Sequence, residues 1–377
     1  MRKIILVAGA RPNFMKIAPV LRVMEKDYRG RIQAVLVHTG QHYDQNMSQA
    51  FFDSLGIRTP DHHLKVGSGS HADQTAAIMT RFEDVCEEEG PDAVVVVGDV
   101  NSTIAAGLVA KKLGVDLAHV EAGLRSRDRS MPEEINRLAT DAISDLFFTT
   151  EQEATRNLLK EGHPEESVHF VGHVMIDNLN YQLDKLDRMG PSRLSGDLKA
   201  CLPDRYMCMT LHRPSNVDEK SVLEPMLTAL HELAREVPVV FPCHPRTKKQ
   251  IEAFGLQGLF VEYSGSDQLI DSGILRLDPL DYNDFLFVWK DAACVLTDSG
   301  GLQEETTALG IPCITLRENT ERPITVDVGS NVIVGQDPKR LKQDAKRVLQ
   351  GEWKAGVVPE LWDGRASERI VGVLDGG

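Results

Sequence analysis

Short β-branched runs alternate with helical patterns from one end of this chain to the other, and that alternation is the tightest constraint on its fold. The strongest run, Ala93-Val94-Val95-Val96-Val97, has no polar face, which suits a strand in a parallel sheet covered on both sides. The opening residues, from Met1-Arg2-Lys3-Ile4-Ile5 to Ala8-Gly9, read as the first buried strand. Phe14, Ile17, Ala18, Leu21 and Met24 follow as one helical stripe. Further strands are expected at 34–37, 117–120 and 146–148, and Ile135, Leu138, Ala139 and Ala142 mark a helix opened by Pro132. A polar stretch at 184–204 lacks strand signals and holds Gly190-Pro191 and Gly196, which makes it the best boundary. Strands then resume at 206–209, 239–241, 274–275, 295–296 and 314–316. The fold class is therefore α/β, with two Rossmann-like, doubly wound domains whose strand ends face across a ligand cleft. The domains are placed at 1–172 and 173–359, and the closing helix within 360–377 is expected to pack back on the first.

At 377 residues the chain is long enough for two full cores. Its formal charge of -14 excludes a nucleic-acid or anionic-membrane partner, because no sustained basic run offers a face for counterion release. An anionic substrate remains possible if basic side chains gather locally. The six cysteines, at 86, 201, 208, 243, 294 and 313, lack metal-ligand spacing and read as reduced core residues of a cytoplasmic protein. The N-terminal apolar run is too short for a signal segment or a membrane span.

The chemistry gathers at strand ends. Cys294-Val295-Leu296-Thr297 runs into Asp298-Ser299-Gly300-Gly301-Leu302-Gln303-Glu304-Glu305, a strand that breaks at two glycines and reopens as a helix. Such a turn aims free backbone N–H groups at an anion, so a phosphate is expected there, held also by cations among Arg11, Arg213 and Arg322. Asp99, in Gly98-Asp99-Val100-Asn101, is either a helix cap or a site acid, and taken alone the cap is favoured. Glu121, in His119-Val120-Glu121-Ala122-Gly123-Leu124-Arg125, has no capping pattern to explain it. Glu133 and Glu134 lie in a first helical turn, where the dipole alone would justify them, a reading that suits Glu134 better than Glu133. In the second half His212-Arg213 and His244-Pro245-Arg246 end two strands, suggesting an anion-binding or proton-transfer rim. They lack a third ligand at suitable spacing, so no metal site is read. Three carboxylates opposite histidines, arginines and a phosphate turn suit proton removal beside a departing phosphate.

These motifs, from Gly9-Ala10-Arg11-Pro12 with Lys16 through GDVNST, HVEAGLR, PEEINR and the His212-Arg213 pair to DSGGLQEE and TERP, run nearly the length of the chain. With them the chain resembles the UDP-N-acetylglucosamine 2-epimerases of the non-hydrolysing bacterial type, whose two-domain fold is shared with GT-B glycosyltransferases. The resemblance implies elimination of UDP to a 2-acetamidoglucal, then readdition after protonation on the opposite face of C2, with no cofactor. It implies Asp99, Glu121 and Glu133 as acid/base carboxylates and His212 as a catalytic-cleft histidine. Ser299, Gly300 and Gly301 match the phosphate turn, Arg11 and Arg322 its cationic partners, Glu305 the ribose ligand, and Lys16 and Arg137 further cleft residues. A homodimer is expected on the same ground. Two motifs depart from the family pattern: RPE is here Arg11-Pro12-Asn13, and TERPE ends in Ile324. Regulated members bind a second substrate molecule through a Gln-His pair matching Gln41-His42. This chain has Asp44 and Asp73 where that site carries Gln and Arg, so weak or absent activation is expected. The competing readings are a hydrolysing epimerase, an epimerase of a modified UDP-sugar, a GT-B glycosyltransferase and a non-catalytic sugar-nucleotide sensor.

Overall fold

Val95 and Val97 bury against one hydrophobic cluster, with Phe14, Ile17 and Leu21, while Val94 and Val96 bury against another, with Ile78 and Phe82. The strand between them is thus covered on both faces, as its unbroken apolar run requires. The computed structural model describes residues 1–41, 49–263 and 269–376. It divides into two compact units, one of Met1–Tyr181 with Glu360–Gly377 and one of Gln182–Pro359.

The first unit holds β1 (Arg2–Ala8), β2 (Ile32–His38), β3 (His62–His63), β4 (Ala93–Val97), β5 (Asp116–Val120), β6 (Leu146–Thr149) and β7 (Val168–Phe170). They form one sheet in the order β3-β2-β1-β4-β5-β6-β7, with every pair parallel. The order reverses between β1 and β4, so the crevice beyond the ends of those two strands is where such a sheet accepts a ligand. The closing helix, Ala366–Leu374, buries Ala366, Ile370, Val371 and Leu374 in the same core as Phe14 and Met24. Its start has no side-chain cap of its own. Asp177 supplies one, accepting from the backbone N–H groups of Ala366 at 3.1 Å and Ser367 at 2.6 Å.

The second unit holds β8 (Met207–Thr210), β9 (Val239–Pro242), β10 (Phe260–Glu262), β11 (Ile274–Leu277), β12 (Cys294–Thr297), β13 (Cys313–Thr315) and β14 (Asn331–Ile333). Their order is β10-β11-β9-β8-β12-β13-β14, again all parallel, with the reversal between β8 and β12. All six cysteines are buried free thiols. Among the described residues no helix is long and apolar enough to cross a membrane.

The division between units falls inside the helix Val174–Met189, beyond Gly172 and before the polar stretch. Buried Val174, Ile176, Leu179 and Asp177 tie the first part of this helix to the first unit. The polar stretch itself carries the end of that helix and a second one, Arg193–Ala200, capped by Ser192.

The helix Pro132–Ile143 is where the sequence pattern would mislead about burial. Its buried residues are the polar Glu134, Arg137, Thr140 and Asp141, while of the apolar stripe that identifies it Ile135, at 46% exposure, and Ala142 are exposed and Leu138 and Ala139 are half-buried.

Candidate active site

In the first unit the loops after β4 and β5 bring two acids to the switch point. Asp99 is half-buried and does not cap the following helix, Asn101–Lys112, whose N-cap is Val100. The capping role falls to Gln41, whose buried Oε1 accepts from the Ser102 backbone N–H at 3.1 Å and its hydroxyl at 2.8 Å. Asp99 Oδ2 instead accepts from Arg137 Nη2 at 2.5 Å. Arg137 also donates to Glu134 at 3.0 Å. Glu134 is itself committed to structure, accepting from the backbone N–H groups of Ser126 and Arg127, each at 2.9 Å. Burial would raise its carboxyl, but these bonds and Arg137 hold it below the ordinary value. Glu133, one residue earlier, is exposed.

Glu121 is buried at the end of β5 and is paired with the Lys16 ammonium, which reaches it from the helix Arg11–Asp27. Its φ of 67° puts a residue with a Cβ in the left-handed region. Such a conformation costs on the order of 1–3 kcal/mol and persists where the surroundings impose it. Gly98, beside this pair, has a φ of 69°, a left-handed conformation that favours glycine, while a Cβ there would make only ordinary contact at 3.6 Å with Glu121 Oε2 and Lys16 Nζ. Asn13 Oδ1 accepts from the Gly9 and Ala10 N–H groups, while its amide donates to the Val97 carbonyl at 3.3 Å. A glutamate there could not make that last donation. Arg11 is exposed, its guanidinium 5.2 Å from the Phe51 ring centre.

In the second unit both ends at the switch point are tied by one residue that sequence reasoning left without a role. Asp298, fully buried after β12, accepts from the backbone N–H groups of His212 at 2.9 Å and Arg213 at 2.8 Å, and its other oxygen meets His212 Nδ1 at 2.8 Å. Burial would raise its carboxyl, but His212 and these N–H groups outweigh that and lower it. His212 is thereby oriented with Nδ1 engaged and Nε2 left for other partners. His244 caps the helix Pro245–Phe254 with Nδ1 accepting from the Arg246 N–H, and its ring centre lies 5.9 Å from that of His212. Burial and the adjacent His212 and Arg246 lower its pKa.

Ser299 is the N-cap of the helix Gly300–Ala308 without a side-chain capping bond, and beyond its own turn of helix no atom of the described residues lies within 4 Å of where a Gly301 Cβ would stand. The first turn carries no acid of its own, although the Glu321 carboxylate stands 3.9 Å from where a Gly300 Cβ would be, and its N–H groups form a positive end. Arg322, expected at this turn, lies 2.5 Å from Glu304. Glu305 is buried and accepts from the Tyr282 hydroxyl at 2.7 Å. Burial pushes its carboxyl up to about 7, opposed by the Tyr282 bond and reinforced by Glu304. Arg213 Nε is buried and has no hydrogen-bond partner among the described residues.

His42 and Asp44 lie outside the described residues. Asp73 is exposed in a reciprocal cap, accepting from the Ser70 hydroxyl at 2.7 Å while its N–H donates back.

Two parallel-sheet units, with cation-paired carboxylates at one switch point and a histidine–aspartate pair beside a glycine-opened helix at the other, define a class: a GT-B-like α/β enzyme. The family follows from comparison with known proteins. The chain belongs to the UDP-N-acetylglucosamine 2-epimerase family, whose model matches residues 25–375. It is 38% identical over 381 residues to the UDP-N-acetylglucosamine 2-epimerase of Methanococcus maripaludis, covering 100% of this chain and 99% of that protein. It is also 38% identical over 350 residues to the UDP-2,3-diacetamido-2,3-dideoxy-D-glucuronate 2-epimerase of Pseudomonas aeruginosa, covering 92% of each. A crystal structure of the Methanocaldococcus jannaschii UDP-GlcNAc 2-epimerase in complex with UDP-GlcNAc and UDP superimposes with a TM-score of 0.81 at 39% identity, covering 100% of both chains.

Proposed function

We propose that this protein interconverts UDP-N-acetylglucosamine and UDP-N-acetylmannosamine by eliminating and re-adding UDP across C1 and C2 of the sugar. The observation that carries the reading is the pair of acids on adjacent strand ends, Asp99 and Glu121, each beside its own cation, Arg137 or Lys16. The steps balance without a redox partner. A carboxylate takes the C2 proton, the C1–O bond breaks, and UDP departs with that electron pair to leave a C1–C2 double bond. A protonated carboxyl then delivers a proton to the opposite face of C2 as UDP re-forms the C1–O bond. Asp99, Glu121 and Glu133 share the acid/base work. His212, oriented by Asp298, donates to the departing diphosphate, whose charge the Ser299 hydroxyl and the first-turn N–H groups of Gly300 and Gly301 also receive. Arg213 supplies a cation there, and Arg11, His244 and Arg322 complete the anion's surroundings, with Arg322 exchanging Glu304 for it. Glu305 holds the ribose.

Proton NMR of the protein with UDP-N-acetylglucosamine in D₂O tests this. The expected product is UDP-N-acetylmannosamine deuterated at C2; free N-acetylmannosamine with UDP would instead establish a hydrolysing enzyme. The second reading, a UDP-sugar carrying further substituents, is favoured by the similarity to the diacetamido-glucuronate epimerase. It predicts exchange with that nucleotide and none with UDP-N-acetylglucosamine. Acids at 44 and 73 would repel a second diphosphate, so the reverse reaction should proceed without added UDP-N-acetylglucosamine. Strict dependence on that addition would refute the point.

A further inference from the structure

His119 lies in β5, one strand position from Val120 and two residues before Glu121, and is fully buried. Its Nδ1 stands 2.6 Å from Asp141 Oδ1, and its Nε2 stands 2.8 Å from the Gly98 carbonyl oxygen. A carbonyl oxygen has no hydrogen to give, and neither does an ionised carboxylate. A bare nitrogen at either place would set lone pair against lone pair in a fully buried site. Both ring nitrogens must therefore carry hydrogens.

The two bonds lead to the two acids. Gly98 precedes Asp99, and its own N–H donates to the Val120 carbonyl at 3.1 Å, so the peptide that launches Asp99 is held to β5 from both sides. On the other side, Asp141 Oδ2 accepts from the Gly123 N–H at 3.1 Å and from Arg125 at 2.7 Å, clamping the loop that carries Glu121. Arg125 in turn meets Glu161 at 2.6 Å, so the charges facing the ring are those of Asp141, then Arg125, then Glu161. Burial would raise the Asp141 carboxyl, but the positive charges of His119 and Arg125 hold it low.

We propose that His119 is a positioning residue for the epimerisation, a doubly protonated bridge that fixes the spacing between the Asp99 loop and the Glu121 loop. It touches no substrate. The inference rests on Asp99 and Glu121 being the acid/base pair, and it explains why a fully buried side chain near them is a polar one. A small misplacement of a proton-transfer group lowers turnover by about 10²-fold.

The two amide variants separate the two bonds. His119→Asn keeps a donor toward Asp141 and loses the one to Gly98, whereas His119→Gln keeps a donor near the Nε2 position. For His119→Asn the expected result is a fall in kcat of about 10²-fold, with C2 exchange falling in step and KM and UDP affinity unchanged. His119→Gln should recover part of the loss. In the wild type, an NMR spectrum of ¹⁵N-histidine-labelled protein should show two ring N–H groups for His119, assigned by difference from His119→Gln. A wild-type rate in His119→Asn, or a ring nitrogen without hydrogen in that spectrum, would overturn the proposal. Should Asp99→Asn and Glu121→Gln both turn over normally, the acid/base reading fails instead, and the spectrum still decides the protonation of His119.

Discussion

The acids of this protein differ by what surrounds each carboxyl, and that difference sets what each substitution should do. Asp99→Asn, Glu121→Gln and Glu133→Gln remove a proton acceptor from the proposed reaction, and each should lower C2 exchange by about 10²–10⁴-fold with folding intact. Unchanged exchange in any one removes that residue from the mechanism. Glu305 is the opposite case. Its folded pKa is raised from the ordinary 4.5 to about 7, so it binds its proton more tightly folded than unfolded. The stability this confers is present below about pH 4.5 and is lost as pH rises through about 7. Holding it ionised above that range costs on the order of 3 kcal/mol. Glu305→Gln should therefore raise the thermal midpoint at pH 8 and change it little at pH 5, while weakening UDP binding if the carboxylate holds the ribose. Equal shifts at the two pH values would show that Glu305 does not titrate in this way.

Elements show where the sequence was legible and where it was not. The central strands were plain because both their faces are buried, so β4 is an unbroken apolar run, as are β1 from Ile4 on and β12 up to Leu296. The edge strands His62–His63, Phe260–Glu262 and Asn331–Ile333 escaped because they are short and only half covered. The strand-end motifs were legible as a set, yet Asp298 and His119 had no visible role, since their partners are backbone groups and side chains distant in the chain. Asp99 misled as a cap because Gln41, far away in sequence, takes that task. The same kind of distant capping makes a prediction for the closing helix. At nine residues it is too short to stand alone, and Asp177 satisfies its first N–H groups from another helix. Asp177→Ala should cost about 1–3 kcal/mol, read as a lower urea midpoint with an unchanged m value. A midpoint equal to wild type would mean that other groups satisfy those donors.

At the scale of the whole molecule the notable feature is an amphipathic helix set with its polar face inward. Pro132–Ile143 buries Glu134, Arg137, Thr140 and Asp141 because Arg137 and Asp141 serve the two strand-end loops that carry Asp99 and Glu121. That leaves Ile135 and Ala142 exposed with Leu138 and Ala139 half-buried between them, and an apolar stripe on a chain of formal charge -14 needs a cover that does not depend on opposite charge. A second copy of the same helix meets that requirement, since a two-fold contact is self-complementary. We therefore propose that the homodimer implied by the family resemblance closes over this stripe. Light scattering should give twice the mass of the chain, at low and at high salt alike, because hydrophobic contact is not screened by ions. Ile135→Glu should give monomers, and because Arg137 is fixed from the buried side of the same helix, dissociation should also reduce turnover by loosening Asp99. A monomeric wild type would reject the dimer, and a dimeric Ile135→Glu would place its interface elsewhere.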